Sequence, residues 1–88
     1  MFAYTEAVRL CYEQKCGKTQ ELIQLIGKNN FDIMCSTGLL KQGVERQEGN
    51  NISTWAATTA LEKEYRFYNE FLSEEEIAVL EQFEALFV

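Results

Sequence analysis

Apolar residues recur along much of this chain at the spacing of one helical face. From Tyr4 to about Cys16, Tyr4, Ala7, Val8 and Cys11 fall on one side of a helical wheel, with Glu6, Arg9, Glu13 and Lys15 elsewhere. Leu22, Ile23, Leu25 and Ile26 form a second apolar face that Gly27 closes. A third stripe of Thr58, Leu61, Tyr65, Tyr68 and Leu72, flanked by Ala57, Ala60, Phe67 and Phe71, predicts a helix from about Trp55 to Phe71, capped by Ser53 or Thr54. The segment LSEEEI then spells a helix start: Ser73 is the N-cap, Glu76 completes a capping box, and Leu72 and Ile77 are spaced as a hydrophobic staple. The last helix runs from Glu74 nearly to the end, with Leu80, Phe83 and Phe87 on one face. Two helices joined by a single capping residue are expected to fold back as an αα-hairpin over residues 53–88.

Residues 28–52 obey neither the period of two nor that of 3.6. Asn30 is placed to cap a helix from Phe31 toward Lys41, although Gly38 and Gly43 weaken it, and a short strand at 31–35 is the alternative. QEGNN, residues 47–51, reads as a loop. The chain has no proline and only five scattered glycines, which favours long regular elements over a turn-rich β fold. The expectation is an all-α, single-domain helical bundle of about four to five helices spanning residues 1–88 and ending in the αα-hairpin.

Gly17-Lys18-Thr19 is the one stretch that suggests nucleotide chemistry. A phosphate-binding loop needs a further glycine at position 12, where Tyr12 stands, and a strand before it, where the pattern is helical. The three residues instead read as a joint between helices, with Gly17 as stop and Thr19 as N-cap of a helix carrying Glu21 in its first turn.

Composition narrows the function classes. At 88 residues, 47% hydrophobic and 12% aromatic, the chain can bury one modest core. It has no histidine, and Cys11, Cys16 and Cys35 lack paired metal-ligand spacing, so neither a metal, a cofactor nor a catalytic base is indicated, and an enzyme is not expected. No apolar run reaches bilayer length and MFAYTEAVRL lacks a basic n-region, which makes the cytoplasm the expected compartment.

Charge is distributed unevenly. Residues 1–52 carry six acids and six bases, whereas residues 53–88 carry eight glutamates against Lys63 and Arg66. An acidic helical face with interleaved aromatics suits a basic protein partner and argues against direct contact with nucleic acid. The reading is a small acidic adaptor or inhibitor, of the kind phages and mobile elements encode, that binds a larger protein, such as one that handles nucleic acid. Its partner-binding residues are Trp55, Tyr65, Tyr68 and Phe87 as anchors and Glu70, Glu74, Glu75, Glu81 and Glu84 as steering charges. The apolar end, Phe83 to Val88, favours a homo-oligomer, most simply a dimer. Two alternatives stand beside it. One is a helix-turn-helix regulator over Thr19–Gly38, with Gly27 at the turn and Ile33 six residues later, and the other is an oligomer that sequesters a small ligand. Changing Glu74, Glu75, Glu81 and Glu84 to Lys is expected to leave the circular dichroism nearly intact while weakening capture of a basic partner, most at low salt.

Overall fold

A computed structural model of the chain describes residues 4–86. Its elements are α1 (Tyr4–Gln14), β1 (Cys16–Lys18), α2 (Thr19–Ile26), α3 (Lys28–Ser36), β2 (Leu40–Gln47), β3 (Asn50–Ala57), α4 (Thr59–Arg66), a π-helical turn (Phe67–Phe71) and α5 (Glu74–Glu84). The fold is therefore α+β, and the all-α helical bundle is overturned by an antiparallel sheet in the order β1-β3-β2.

β3 lies where the first turn of a long helix was expected. Its Thr54, Trp55 and Ala56 pair with Lys18, Gly17 and Cys16 on one side and with Gly43, Gln42 and Lys41 on the other. Hydrogen bonding along both edges outweighs the helix propensity of the neighbouring alanines. The helix accordingly starts at Thr59, and neither Ser53 nor Thr54 caps it. Thr58 precedes it, and its hydroxyl donates instead to the carbonyls of Gly38 and Leu39, at 2.7 and 2.9 Å.

The joint between α1 and α2 is a short strand, β1, over Cys16–Lys18, and Thr19 begins α2. Lys15 takes the left-handed conformation expected of Gly17, with φ 62°, and its N–H donates to the Cys11 carbonyl at 2.9 Å. Gly17 lies against Trp55 instead: a Cβ there would sit 3.4 Å from the indole Nε1, just at contact, so that a branched side chain would press on the ring. Thr19 makes no cap bond; its buried hydroxyl accepts from the Ser53 hydroxyl at 3.1 Å and ties α2 to β3.

The core gathers Val8 and Cys11 from α1, Leu22 and Ile26 from α2, Phe31 and Met34 from α3, Leu40 and Trp55 from the sheet, and Leu61 from α4. Tyr12 and Tyr65 stack in parallel with centroids 3.9 Å apart, which joins α1 to α4. α4 and α5 both pack on α1. The capping box at Ser73 forms as the sequence predicts: the Glu76 N–H donates to the Ser73 hydroxyl at 3.2 Å, and the Ser73 N–H to the Glu76 carboxylate at 3.3 Å. No helix among the described residues is long and apolar enough to cross a membrane.

Trp55 packed over Gly17 generates a stability prediction. Trp55→Ala is expected to cost about 3–5 kcal/mol by loss of contacts and cavity formation. Gly17→Val is expected to cost about 1–3 kcal/mol by forcing the indole aside. Urea unfolding followed by circular dichroism measures both.

Candidate functional site

α2 and α3 are joined through Gly27 alone, whose φ of 89° is readily available only to glycine. The joint is closed locally. The Gly27 N–H donates to the Ile23 carbonyl at 2.8 Å, and the Phe31 N–H to the Gly27 carbonyl at 3.0 Å. Asn30 is buried rather than capping α3: its amide donates to the Ile26 carbonyl at 2.7 Å and so satisfies an end group of α2. With Phe31 and Met34 also inward, α3 presents Lys28, Asn29, Asp32 and Ser36 to solvent, a stripe at helical spacing. Lys28 and Asp32 pair at 3.0 Å, an exposed contact worth at most about 1 kcal/mol that other partners can replace.

Next to α3 stands a β-ribbon. Glu48 and Gly49, with φ of 50° and 82°, form its two-residue turn, the left-handed pair that matches strand twist in a tight hairpin. The expected loop over 47–51 thus shrinks to two residues, and the segment from Lys41 to Asn51 is exposed throughout. Beyond the reach of β1 only β2 and β3 pair, from Val44↔Ser53 to Gln47↔Asn50. Register places Arg46 and Asn51 opposite each other, on the ribbon face that carries Trp55 nearer the core.

The expected partner-binding residues separate into different environments. Trp55 and Tyr68 are core residues, 2% and 9% exposed, and Tyr65 is half-buried against Tyr12. Glu70, Glu74 and Glu75 are exposed, Glu81 is half-buried, and Phe87 lies outside the described residues. Glu84 is structural: one carboxylate oxygen accepts from the Thr5 N–H at 3.1 Å and the other from the Tyr68 hydroxyl at 3.2 Å. Only Glu70, Glu74 and Glu75 therefore remain as clean probes of surface charge. Sequence reasoning passed over Asn29, Asp32, Ser36, Arg46 and Asn51. The glycine turn at 48–49 was the available signal for the last two.

Burial raises the Cys11 thiol to about 12, which leaves it a small buried hydrophobe, and it also raises Cys35. Among the described residues no group of three or more Cys, Asp or Glu is placed to hold a metal ion.

No protein-family model matches the chain, and no curated protein or solved structure matches it at a significant level.

Glu84 gives the fold a pH dependence. Burial raises its carboxyl above the ordinary glutamate range, against the lowering effect of the bonds from Tyr68 and Thr5. A raised folded-state value means that the native state holds this proton more tightly than the unfolded chain. Its contribution is full below the ordinary glutamate range and is lost as pH rises through the raised value. The thermal midpoint is expected to fall over that window, and Glu84→Gln is expected to flatten this part of a Tm-against-pH series.

Proposed function

We propose that the chain is a small helix-turn-helix type regulator that binds duplex DNA, with α3 in the major groove and the β2–β3 ribbon as a wing alongside it. One observation carries the reading: two helices joined through Gly27 present a polar stripe beside a ribbon that is exposed from Lys41 to Asn51. Its class rests on fold-level analogy and its residues on the chemistry of the two surfaces. The major groove admits a helix or a two-stranded ribbon, and base edges are read by short polar side chains. Asn29 suits an adenine edge, Asp32 a cytosine amino group and Ser36 either kind of base, while Lys28, Lys41 and Arg46 suit phosphates.

The distribution of charge is compatible with this role. Residues 1–58 carry six acids and six bases and are neutral overall. The acidic excess lies on α4, the π-turn and α5, and the two α-helices make their main helix contacts with α1. With three cations on the reading side, binding depends weakly on salt, with a logarithmic slope of about −3. The acidic hairpin as a docking face for a basic protein is the competing reading. Its support is the glutamates, since Trp55 and Tyr68, two of the proposed anchors, are spent in the core.

Selection from a randomised duplex library, followed by fluorescence anisotropy at two salt concentrations, tests the proposal. The full chain is expected to enrich a short motif. Lys28→Glu with Lys41→Glu is expected to weaken binding more than about tenfold by removing two phosphate contacts. Asn29→Ala is expected to relax preference at one base pair, at a cost of about 1–3 kcal/mol. No measurable binding at about 50 mM salt, where phosphate contacts are strong, would overturn it.

A further inference from the structure

The ribbon keeps an open edge as well as two open faces. β2 is an outer strand of the sheet, and all of it after Leu40 is exposed. The two-residue turn sets which of its backbone groups point outward. Gln47 and Asn50 close that turn as a hydrogen-bonded pair, so bonded pairs recur at Glu45↔Ile52, Gly43↔Thr54 and Lys41↔Ala56. Two bonds further along fit this phase. The Thr58 N–H donates to the Leu39 carbonyl at 3.1 Å, and the Ala57 N–H turns the other way, to the Lys15 carbonyl at 2.7 Å. Gln42, Val44 and Arg46 therefore aim their N–H and C=O groups at the open edge. Such an edge is a template for a further strand.

The side chains along it select which strand. Lys41, Gly43 and Glu45 share the face away from Trp55, because Gln42 is the residue opposite the tryptophan. Lys41 and Glu45 stand four residues apart, about 13 Å along a strand, too far to pair with each other. Their cross-strand neighbours within the chain, Ala56 and Ile52, carry no charge. The two opposite charges thus lie symmetrically about Gly43. On the other face Val44 is 69% exposed, an apolar side chain beside the same edge.

We infer that β2 pairs antiparallel with β2 of a second copy about a two-fold axis at Gly43, which extends the sheet to six strands in the order β1-β3-β2-β2-β3-β1. A two-fold edge contact sets one residue opposite its own image. With Gly43 there, Lys41 of each protomer faces Glu45 of the other, and Gln42 and Val44 exchange backbone bonds across the edge. The central pair is of the close type, with Cα atoms about 4.5 Å apart, and glycine leaves it free of side chains. Other axes lose the match. At Val44, Glu45 would oppose Gly43 and Lys41 would oppose Gln47; at Gln42, Lys41 would oppose Gly43. At Lys41, Glu45 or Arg46, like charges would meet at the centre. A charged edge keeps copies apart where like signs come opposite, whereas here each lysine meets a glutamate. An unrelated extended peptide would need the same two charges in the same order, which a second copy carries by construction. The inference uses the ribbon's edge and does not rest on the DNA-binding reading.

Sedimentation equilibrium of the full chain without nucleic acid, at up to about 300 µM, tests it, since a contact below roughly 1,200 Å² belongs with the weak interfaces. The wild type is expected to dimerise in that range. Lys41→Glu and Glu45→Lys are each expected to weaken the dimer at least about tenfold, because each turns two opposite-charge pairs into two like-charge pairs. The chain carrying both substitutions is expected to recover to within about threefold. An equimolar mixture of the two single variants is expected to form a heterodimer, with circular dichroism checking that each variant is folded. A wild type that stays monomeric, a dimer indifferent to the single substitutions, or folded single variants that do not pair on mixing would each overturn the inference.

Discussion

The middle strand of the sheet is the constraint on which the rest of the molecule depends. Over Thr54–Ala56, β3 is hydrogen-bonded on both edges, and from its centre Trp55 enters the core over Gly17. The neighbouring elements are then positioned by single bonds to either side of that residue. Ser53 reaches the Thr19 hydroxyl at the start of α2, the Ala57 N–H donates to the Lys15 carbonyl at 2.7 Å, and Thr58 closes on the end of the α3–β2 connection. A three-residue strand such as β1 could not hold a sheet by itself. It is adequate here because it closes one edge at the point where the indole is buried.

From this centre the chain departs in two chemically different directions. Before Ser53 the sheet loses its third strand and becomes a solvated ribbon, near-neutral and rich in amide side chains. After Ala57 it becomes helical, acidic and apolar on its outer side. α1 is the support against which both α4 and α5 pack. The net charge of −6 is carried entirely by the residues after Ala57, and the residues before them are neutral overall. Net charge is thus a poor guide to what the α3 side can bind.

Much of the helical content was legible, because α1 and α2 each bury a periodic stripe, α4 buries Leu61 at the centre of its stripe, and the Ser73-to-Glu76 box is a local signal independent of tertiary context, which marks α5 although none of its residues is buried. The sheet was not legible by periodicity. Alternation marks a strand only where one face is buried, and in β2 only Leu40 is buried. Two signals were present: the Glu48-Gly49 turn and the β-prone run Ile52, Ser53, Thr54, Trp55. The alanines around that run extended the helical stripe of Leu61 and Tyr65 backwards across it. α3 was obscured differently, by a buried asparagine where the pattern wants an apolar residue. Asn30 is tolerated there because it satisfies the end of α2. The aromatics after Ala57 were visible as a group, but their division between core and surface was not; the αα-hairpin expected over 53–88 is instead a strand to Ala57 followed by α4, the π-turn and α5. The π-turn sends Tyr68 inward and leaves Phe67 and Phe71 out.

The outer ribbon is the least self-sufficient part of the fold. A two-stranded hairpin with no buried face is marginal in water, and from Val44 to Ile52 none of its side chains is buried. Its shape follows instead from its two ends, the left-handed turn at Glu48-Gly49 and the register imposed by Trp55. Exposed backbone hydrogen bonds without apolar cover place it at the low end of local stability, the end from which binding segments are drawn. Such a segment adds almost nothing to the core and orders further when a surface is laid against it. A polyanion meeting Arg46, Gln47, Asn50 and Asn51 would be such a surface, and the stretch that contributes least to folding is then the one with most to gain from binding.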